Sequence, residues 1–235
     1  MLTVAILAGG LATRLEPILK DTPKSLIEIC GKPFIDWQLK LLAQSGIGRV
    51  VLCTSYKSEM IEKYVGDGTK YGIQINYSKD GQTQLGTGGA IKKATQQLED
   101  SFMVLYGDSY LPIDYKSVQG AFKKLNNAAL MTIYKNDNEL DASNVFFEFG
   151  KVKKYSKGSK SDEFNYIDFG LSFFNKSVFS QYRPDQNFDL SETFSDLCKA
   201  NRLAAYEVKE RFYEVGSISG ISDFTEYIKR SQNVI

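Results

Sequence analysis

ILAGGLATRLEPILKDTPKSL, residues 6–26, leaves an apolar run on the glycine pair Gly9-Gly10 and then sets Arg14 and Lys24 ten positions apart. The run TVAIL over 3–7 reads as a buried strand, and two glycines at its exit let the backbone come close to a ligand, with consecutive amides able to form an anion-binding nest. A glycine pair after a strand also makes an ordinary tight turn, so the pair alone names nothing. Neither G-x-G-x-x-G nor G-x-x-x-x-G-K-[ST] fits GGLATRLEP, which sets aside the dinucleotide fingerprint and the P-loop. What stays is a turn followed by a guanidinium, Arg14, and an ammonium, Lys24, a pairing suited to a polyphosphate.

Outward from this stretch, RVVLC (49–53), IQINY (73–77) and SFMVLY (101–106) are further short runs rich in β-branched or aromatic residues. Helical spacing separates them in FIDWQLKLLAQSG (34–46), SEMIEKYVGDG (58–68) and GGAIKKATQQL (88–98). Strand alternating with helix predicts βαβ units and a mainly parallel sheet with ligands at the carboxyl ends of its strands, where Gly9-Gly10, the segment around Gly86 and Gly107-Asp108 fall. The second half changes character: AALMTIYK, NVFFEFG, KVKKYS and YIDFGLSFFN read as an antiparallel extension of the same sheet. Helices follow in LSETFSDLCKAN (190–201) and ISDFTEYIKRSQ, with the strand LAAYEV between them. The phenylalanines at 146, 147, 149, 169, 173 and 174 lie on strand-like segments and are assigned to core packing.

Composition narrows the chemistry. With 29 Lys and Arg against 28 Asp and Glu, the net charge of +1 gives no bulk electrostatic case for nucleic acid or an anionic membrane. Cys30, Cys53 and Cys198 lack metal or disulfide spacing and are expected to be buried free thiols, which suits a cytoplasmic setting. MLTVAILAGG has neither the flanks of a signal peptide nor the length of a spanning helix. The chain contains no histidine, which removes Ser-His-Asp and Cys-His pairs, histidine zinc sites and histidine bases together. Carboxylates, lysines, arginines, backbone amides and metal are left.

GGLATRLEPILKDTPKSL resembles the N-terminal signature of sugar-phosphate nucleotidylyltransferases, roughly G-G-x-G-T-R-L-x-P-x-T-x-x-x-P-K-x-L, with Ala12 at the third glycine and Leu19 at a usual threonine. Later segments match the same family in order: DGQTQLGTGGA (80–90) its base-recognition loop, LYGDSY (105–110) its metal aspartate, and YEVGSISGISDF (213–224) its [DE]-[IV]-G-[ST] motif. VKKYSKG (152–158) and YIDFGLSFF (166–174) are similar to its E-K-P and N-A-G-I-Y elements, with Ser156 at the glutamate. The matches span residues 4–227.

The resemblance implies a Rossmann-like α/β/α sandwich with a mixed, mainly parallel sheet, one domain over 1–235, binding nucleotide in its first half (about 1–112) and sugar phosphate in its second (about 113–235). It implies Arg14 and Lys24 as catalytic, and Leu7, Ala8, Gly9, Gly10, Gln82, Gly86 and Thr87 as nucleotide-binding, with Gln84 a rival of Gln82 for the base. Lys157, Asp168 and Gly170 would meet the sugar phosphate. Asp108 and Glu214 would hold Mg²⁺, with Asp223 either a rival ligand or the cap of the last helix. The implied reaction joins a nucleoside triphosphate to a sugar 1-phosphate, releasing pyrophosphate, for cell-surface polysaccharide precursors, with a lean to GTP and a heptose or mannose 1-phosphate. A cytidylyl- or uridylyltransferase on another phosphorylated acceptor, and a non-catalytic nucleotide-sugar-binding subunit, stay open. A homodimer is open as well.

Overall fold

The computed structural model describes residues 1–10, 22–55, 57–81, 83–136, 140–158 and 161–232. Its strands in chain order are β1 (Val4–Leu7), β2 (Glu28–Ile29), β3 (Lys32–Pro33), β4 (Arg49–Thr54), β5 (Gln74–Lys79), β6 (Ser101–Tyr106) and β7 (Ser109–Tyr110). They continue with β8 (Ala129–Lys135), β9 (Val145–Glu148), β10 (Lys151–Tyr155), β11 (Tyr166–Asn175), β12 (Leu203–Val208) and β13 (Tyr213–Glu214). The α-helices among the described residues are α1 (Phe34–Gln44), α2 (Ser58–Val65), α3 (Gly86–Ala94), α4 (Tyr115–Leu125), α5 (Leu190–Lys199) and α6 (Ile218–Gln232).

A nine-stranded sheet runs β10-β9-β11-β6-β1-β4-β5, with β8 pairing β11 and β12. The stretch β6-β1-β4-β5 is parallel, and β11 lies antiparallel against both β6 and β8. The strand LAAYEV departs from the antiparallel extension: β12 pairs parallel to β8, because α5 carries the chain back along the sheet before it enters.

Successive residues of β1 serve opposite layers, since alternate side chains leave a strand on opposite faces. Val4 and Ile6 pack with Ile35 and Leu39 of α1, Ile61 of α2 and Phe122 of α4. Ala5 packs with Ile91 of α3 and Phe194 of α5 on the other face. Burial on both faces explains why these strands read as continuous apolar runs. A smaller cluster joins Phe224 and Ile228 of α6 to Ile29, Phe34 and Val215.

Three expectations are corrected. Phe149 is not core: it is 86% exposed, at positive φ in the turn between β9 and β10, where the chain needs a reversal more than an apolar contact. Of the cysteines only Cys53 is buried, Cys30 and Cys198 being half-buried. Asp223 does not cap α6, which begins earlier, at Ile218; its carboxylate pairs with Arg211.

Candidate active site

The carboxyl ends of β1, β4 and β6 open into a cleft of about 1230 Å³. Leu7 at the end of β1 and Ala8, Gly9 and Gly10 directly after it line the cleft, and Gly86 and Thr87 line it at the start of α3. The glycine turn is held from β4's side, where the Ser55 hydroxyl donates to the Gly9 carbonyl at 2.7 Å and the Ala8 amide to the Cys53 carbonyl at 2.9 Å. Arg14 and Gln82 lie outside the described residues. Gln84 lines the cleft, while its backbone carbonyl accepts from Asn187 Nδ2 at 2.6 Å.

Asp108 sits in the turn between β6 and β7. Gln38, buried on α1, pins that turn: its Nε2 donates to the carbonyls of Tyr106 at 3.0 Å and Ser109 at 2.8 Å, bracketing the aspartate. The two-residue ladder of β7 with β13 sets Glu214 opposite Ser109, and the Val215 amide donates to the Asp108 carbonyl at 3.0 Å. Residues remote in sequence thus become neighbours through a minimal sheet. Lys24 Nζ completes the group, 2.7 Å from Asp108 Oδ2.

Gly216 measures the convergence. A Cβ placed there would lie 2.5 Å from Glu214 Oε2, 2.8 Å from Lys24 Nζ and 3.5 Å from Asp108 Oδ2. The Glu214 carboxylate is turned back onto the two residues that lead into α6, accepting from the Gly216 amide and from Ser217 Oγ, the latter at 2.5 Å. No cluster of three acidic, histidine or cysteine side chains suited to a metal occurs among the described residues. Two hard carboxylates lining the same cleft as the β1 turn match the donor set of a small divalent cation that takes its remaining oxygens from phosphates and water.

The opposite wall is built by β11, whose register shifts between Asp168 and Ser172, at Gly170 with φ +99°. That bulge opens the strand and turns Asp168 into the cleft, where Oδ2 accepts from the Tyr106 hydroxyl at 2.8 Å and Oδ1 from the Gly170 amide at 3.0 Å. Burial pushes the Asp168 carboxyl up to about 6, against the opposing pull of those two donors and of Lys157. The same burial, with Asp168 beside it, holds the Tyr106 hydroxyl well above its ordinary value. Lys157 lines this wall and pairs with Asp189 Oδ2 at 2.8 Å.

Thus the cleft gathers Lys24, Asp108, Glu214, the β1 turn, Gly86, Thr87, Lys157, Asp168 and Gly170. Sequence reasoning missed Gln38, Tyr106, Asn144 and Asp189. Asp189 carried one signal, the D-x-x-E pattern with Glu192 before an apolar run, which marks a capping box. Gln38 and Asn144, whose Oδ1 accepts from the Asp168 amide at 2.9 Å, act through backbone partners distant in sequence and carried none.

The chain is 32% identical over 214 residues to a D-glycero-alpha-D-manno-heptose 1-phosphate guanylyltransferase of Campylobacter jejuni, covering 90% of this chain and 93% of that protein. It is 34% identical over 194 residues to the enzyme of the same description from Aneurinibacillus thermoaerophilus, covering 80% of this chain and 81% of that one. HddC from Yersinia pseudotuberculosis, solved alone and in complex with GMP-PN, superposes with TM-scores of 0.84 and 0.83 at 27% identity, over 97% of this chain and 100% of HddC. The family model described as nucleotidyl transferase matches residues 3–231, from the first strand almost to the end of α6, and the chain belongs to that family.

Proposed function

We propose that the protein transfers a nucleoside monophosphate, with guanosine the favoured base, from its triphosphate to a heptose or mannose 1-phosphate in a Mg²⁺-dependent reaction that releases pyrophosphate. The observation that carries this reading is the convergence of Lys24, Asp108 and Glu214 around one point at the end of the sheet, beside the β1 glycine turn. Base and acceptor are supported by similarity to two heptose 1-phosphate guanylyltransferases and to a protein solved with GMP-PN.

An oxygen of the acceptor phosphate attacks the α-phosphorus in line; the new P–O bond forms as the α–β anhydride bond breaks, and pyrophosphate leaves. A phosphate monoester with a second pKa of roughly 6 is largely ionised at neutral pH, so no general base is needed. A chain without histidine suffices. What such transfer demands is positioning and charge neutralisation. The amides of Gly9 and Gly10 hold the triphosphate, Lys24 meets the charge growing at the α-phosphoryl group, and Arg14 takes the departing pyrophosphate. Asp108 and Glu214 would hold Mg²⁺, which when bound neutralises phosphate charge. On the opposite wall Lys157 meets the acceptor phosphate. Asp168 retains a lone pair on each oxygen for a sugar hydroxyl beyond its present donors.

This reading divides the chain into a nucleotide half (about 1–112) and a sugar-phosphate half (about 113–235), with the segment carrying Glu214 returning to the first. A cytoplasmic setting is inferred from three free cysteines, and no helix among the described residues is long and apolar enough to cross a membrane. The product would feed cell-surface polysaccharide synthesis.

The test is pyrophosphate release with Mg²⁺ across five nucleoside triphosphates and mannose, glucose, N-acetylglucosamine and heptose 1-phosphates, with Asp108→Asn alongside. Turnover with GTP and heptose or mannose 1-phosphate, lost in Asp108→Asn, is expected. Turnover only with another base or sugar, or equal turnover in the variant, overturns the reading.

A further inference from the structure

We propose that Asp189 is a positioning residue for the acceptor phosphate, holding the Lys157 ammonium at the sugar-side wall and fastening that wall to the nucleotide loop. The inference rests on the reading of Lys157 as the acceptor-phosphate contact.

Lys157 follows β10, and its side chain is 59% exposed. A four-carbon stem in that setting samples many rotamers, and fixing it on binding costs affinity. Its Nζ meets Asp189 Oδ2 at 2.8 Å, and no second carboxylate among the described residues lies within ion-pair reach. As a contribution to folding, so exposed a pair is worth little. Its value lies in how firmly the aspartate is itself held.

Asp189 is the N-cap of α5. Its Oδ1 accepts from the Ser191 amide at 2.9 Å, and its own amide donates to Glu192 Oε1 at 3.0 Å, closing a capping box. Flanking residues are bound to the segment where the family reads the base. Phe188 N donates to the Leu85 carbonyl at 3.1 Å, and Gly88 N to the Phe188 carbonyl at 3.0 Å. Leu190 N donates to Thr87 Oγ1 at 2.8 Å. Gly86 admits this approach: at φ +71°, a Cβ there would lie 2.5 Å from the Phe188 carbonyl oxygen.

The carboxylate therefore divides its work. Oδ1 belongs to the helix and Oδ2 to Lys157, on a backbone shared with the nucleotide wall. Both effects show in its acidity: although half-burial pushes the Asp189 carboxyl up, the Lys157 ammonium and the Ser191 donors outweigh it and hold the group below its ordinary value. An ammonium has three donors, so Lys157 can keep Asp189 and donate to a phosphate oxygen at the same time.

Asp189→Asn separates the two jobs, because Asn caps a helix as well as Asp does while carrying no charge for Lys157. We expect the KM for the sugar 1-phosphate to rise about fivefold or more, with the KM for the triphosphate and the melting temperature unchanged. Asp189→Ser, another good cap, should behave alike and guards against a folding fault in one variant. Lys157→Ala is measured beside them. If it raises the acceptor KM, and adding Asp189→Asn to it changes nothing further, the aspartate acts through the lysine. An acceptor KM that is unchanged or lower in Asp189→Asn while Lys157→Ala raises it overturns this inference and leaves the proposed function standing. An unchanged acceptor KM in Lys157→Ala overturns the assignment of Lys157, and this inference with it.

Discussion

Lys24→Met removes one ammonium from the convergence point and keeps most of the stem's volume, so folding and chemistry part company in it. Lys24 Nζ and Asp108 Oδ2 are 2.7 Å apart, with side chains 20% and 35% exposed. An ion pair that solvent still reaches contributes about 1 kcal/mol or less to stability. In a chain of this size that is a fall in melting temperature of roughly 2–4 °C. Loss of one pre-placed donor from a transferring group costs about 10²–10³ in kcat, or ~2.7–4 kcal/mol of transition-state stabilisation. The two magnitudes are separable in one preparation.

Pyrophosphate release at saturating GTP and sugar 1-phosphate gives kcat, and a thermal melt of the same samples gives stability. The expected result is a kcat lower by at least about 100-fold beside a melting temperature within a few degrees of the parent. A kcat within about threefold of the parent would leave less than ~1 kcal/mol for Lys24 and refute its role at the α-phosphoryl group. Loss of activity matched by wholesale unfolding would refute the solvent-exposed account of the pair instead.

Asp168→Asn tests the raised carboxyl: pushed from the ordinary carboxylate range up to about 6, it keeps its proton longer in the folded state, so its ionisation costs stability that is absent below about 4, grows between about 4 and 6 and is complete above that. The variant's melting temperature relative to the parent should therefore climb between pH 4.5 and pH 8, by an amount worth at most about 3 kcal/mol, and a gap that stays flat with pH counts against the assignment. Gln38→Met leaves the carbonyls of Tyr106 and Ser109 without their donor, at about 1–3 kcal/mol each, and should lower both the melting temperature and kcat; a fully active, equally stable variant would show that the Asp108 turn holds itself. Gly86→Ala must adopt φ +71° with its Cβ against the Phe188 carbonyl, and should lose about 2 kcal/mol or more, read as a melting-temperature fall of roughly 4–8 °C. An unaltered melt would mean that the segment around Phe188 moves aside freely.

The layering was legible because it is local. TVAIL, RVVLC and SFMVLY declare doubly buried strands by composition alone, and β6 falls on 101–106 as read. Parallel entry of β12 was not legible, since LAAYEV carries no mark of which neighbour it joins. Phe149 misled for a related reason: it sits among alternating apolar residues, yet the neighbouring Gly150 makes the tip of a hairpin there and exposes it.

The site divides in the same way, with each residue's kind readable from its own neighbourhood and its posture set from elsewhere. Lys24, Asp108 and Glu214 stand in recognisable local frames, but β7 and β13, two residues each, are what bring Asp108 and Glu214 together. Nothing in either dipeptide predicts the pairing. Asp189 is the sharper case. Its pattern with Glu192 gives a helix cap and accounts for Oδ1, whereas Oδ2 is spoken for by Lys157, on a loop after β10 that no helical or strand period connects to α5. A motif fixes what a side chain can do; a second partner far along the chain decides what it is held to do, and in this cleft those second partners come from the folding of β13 against β7 and of the start of α5 against Thr87.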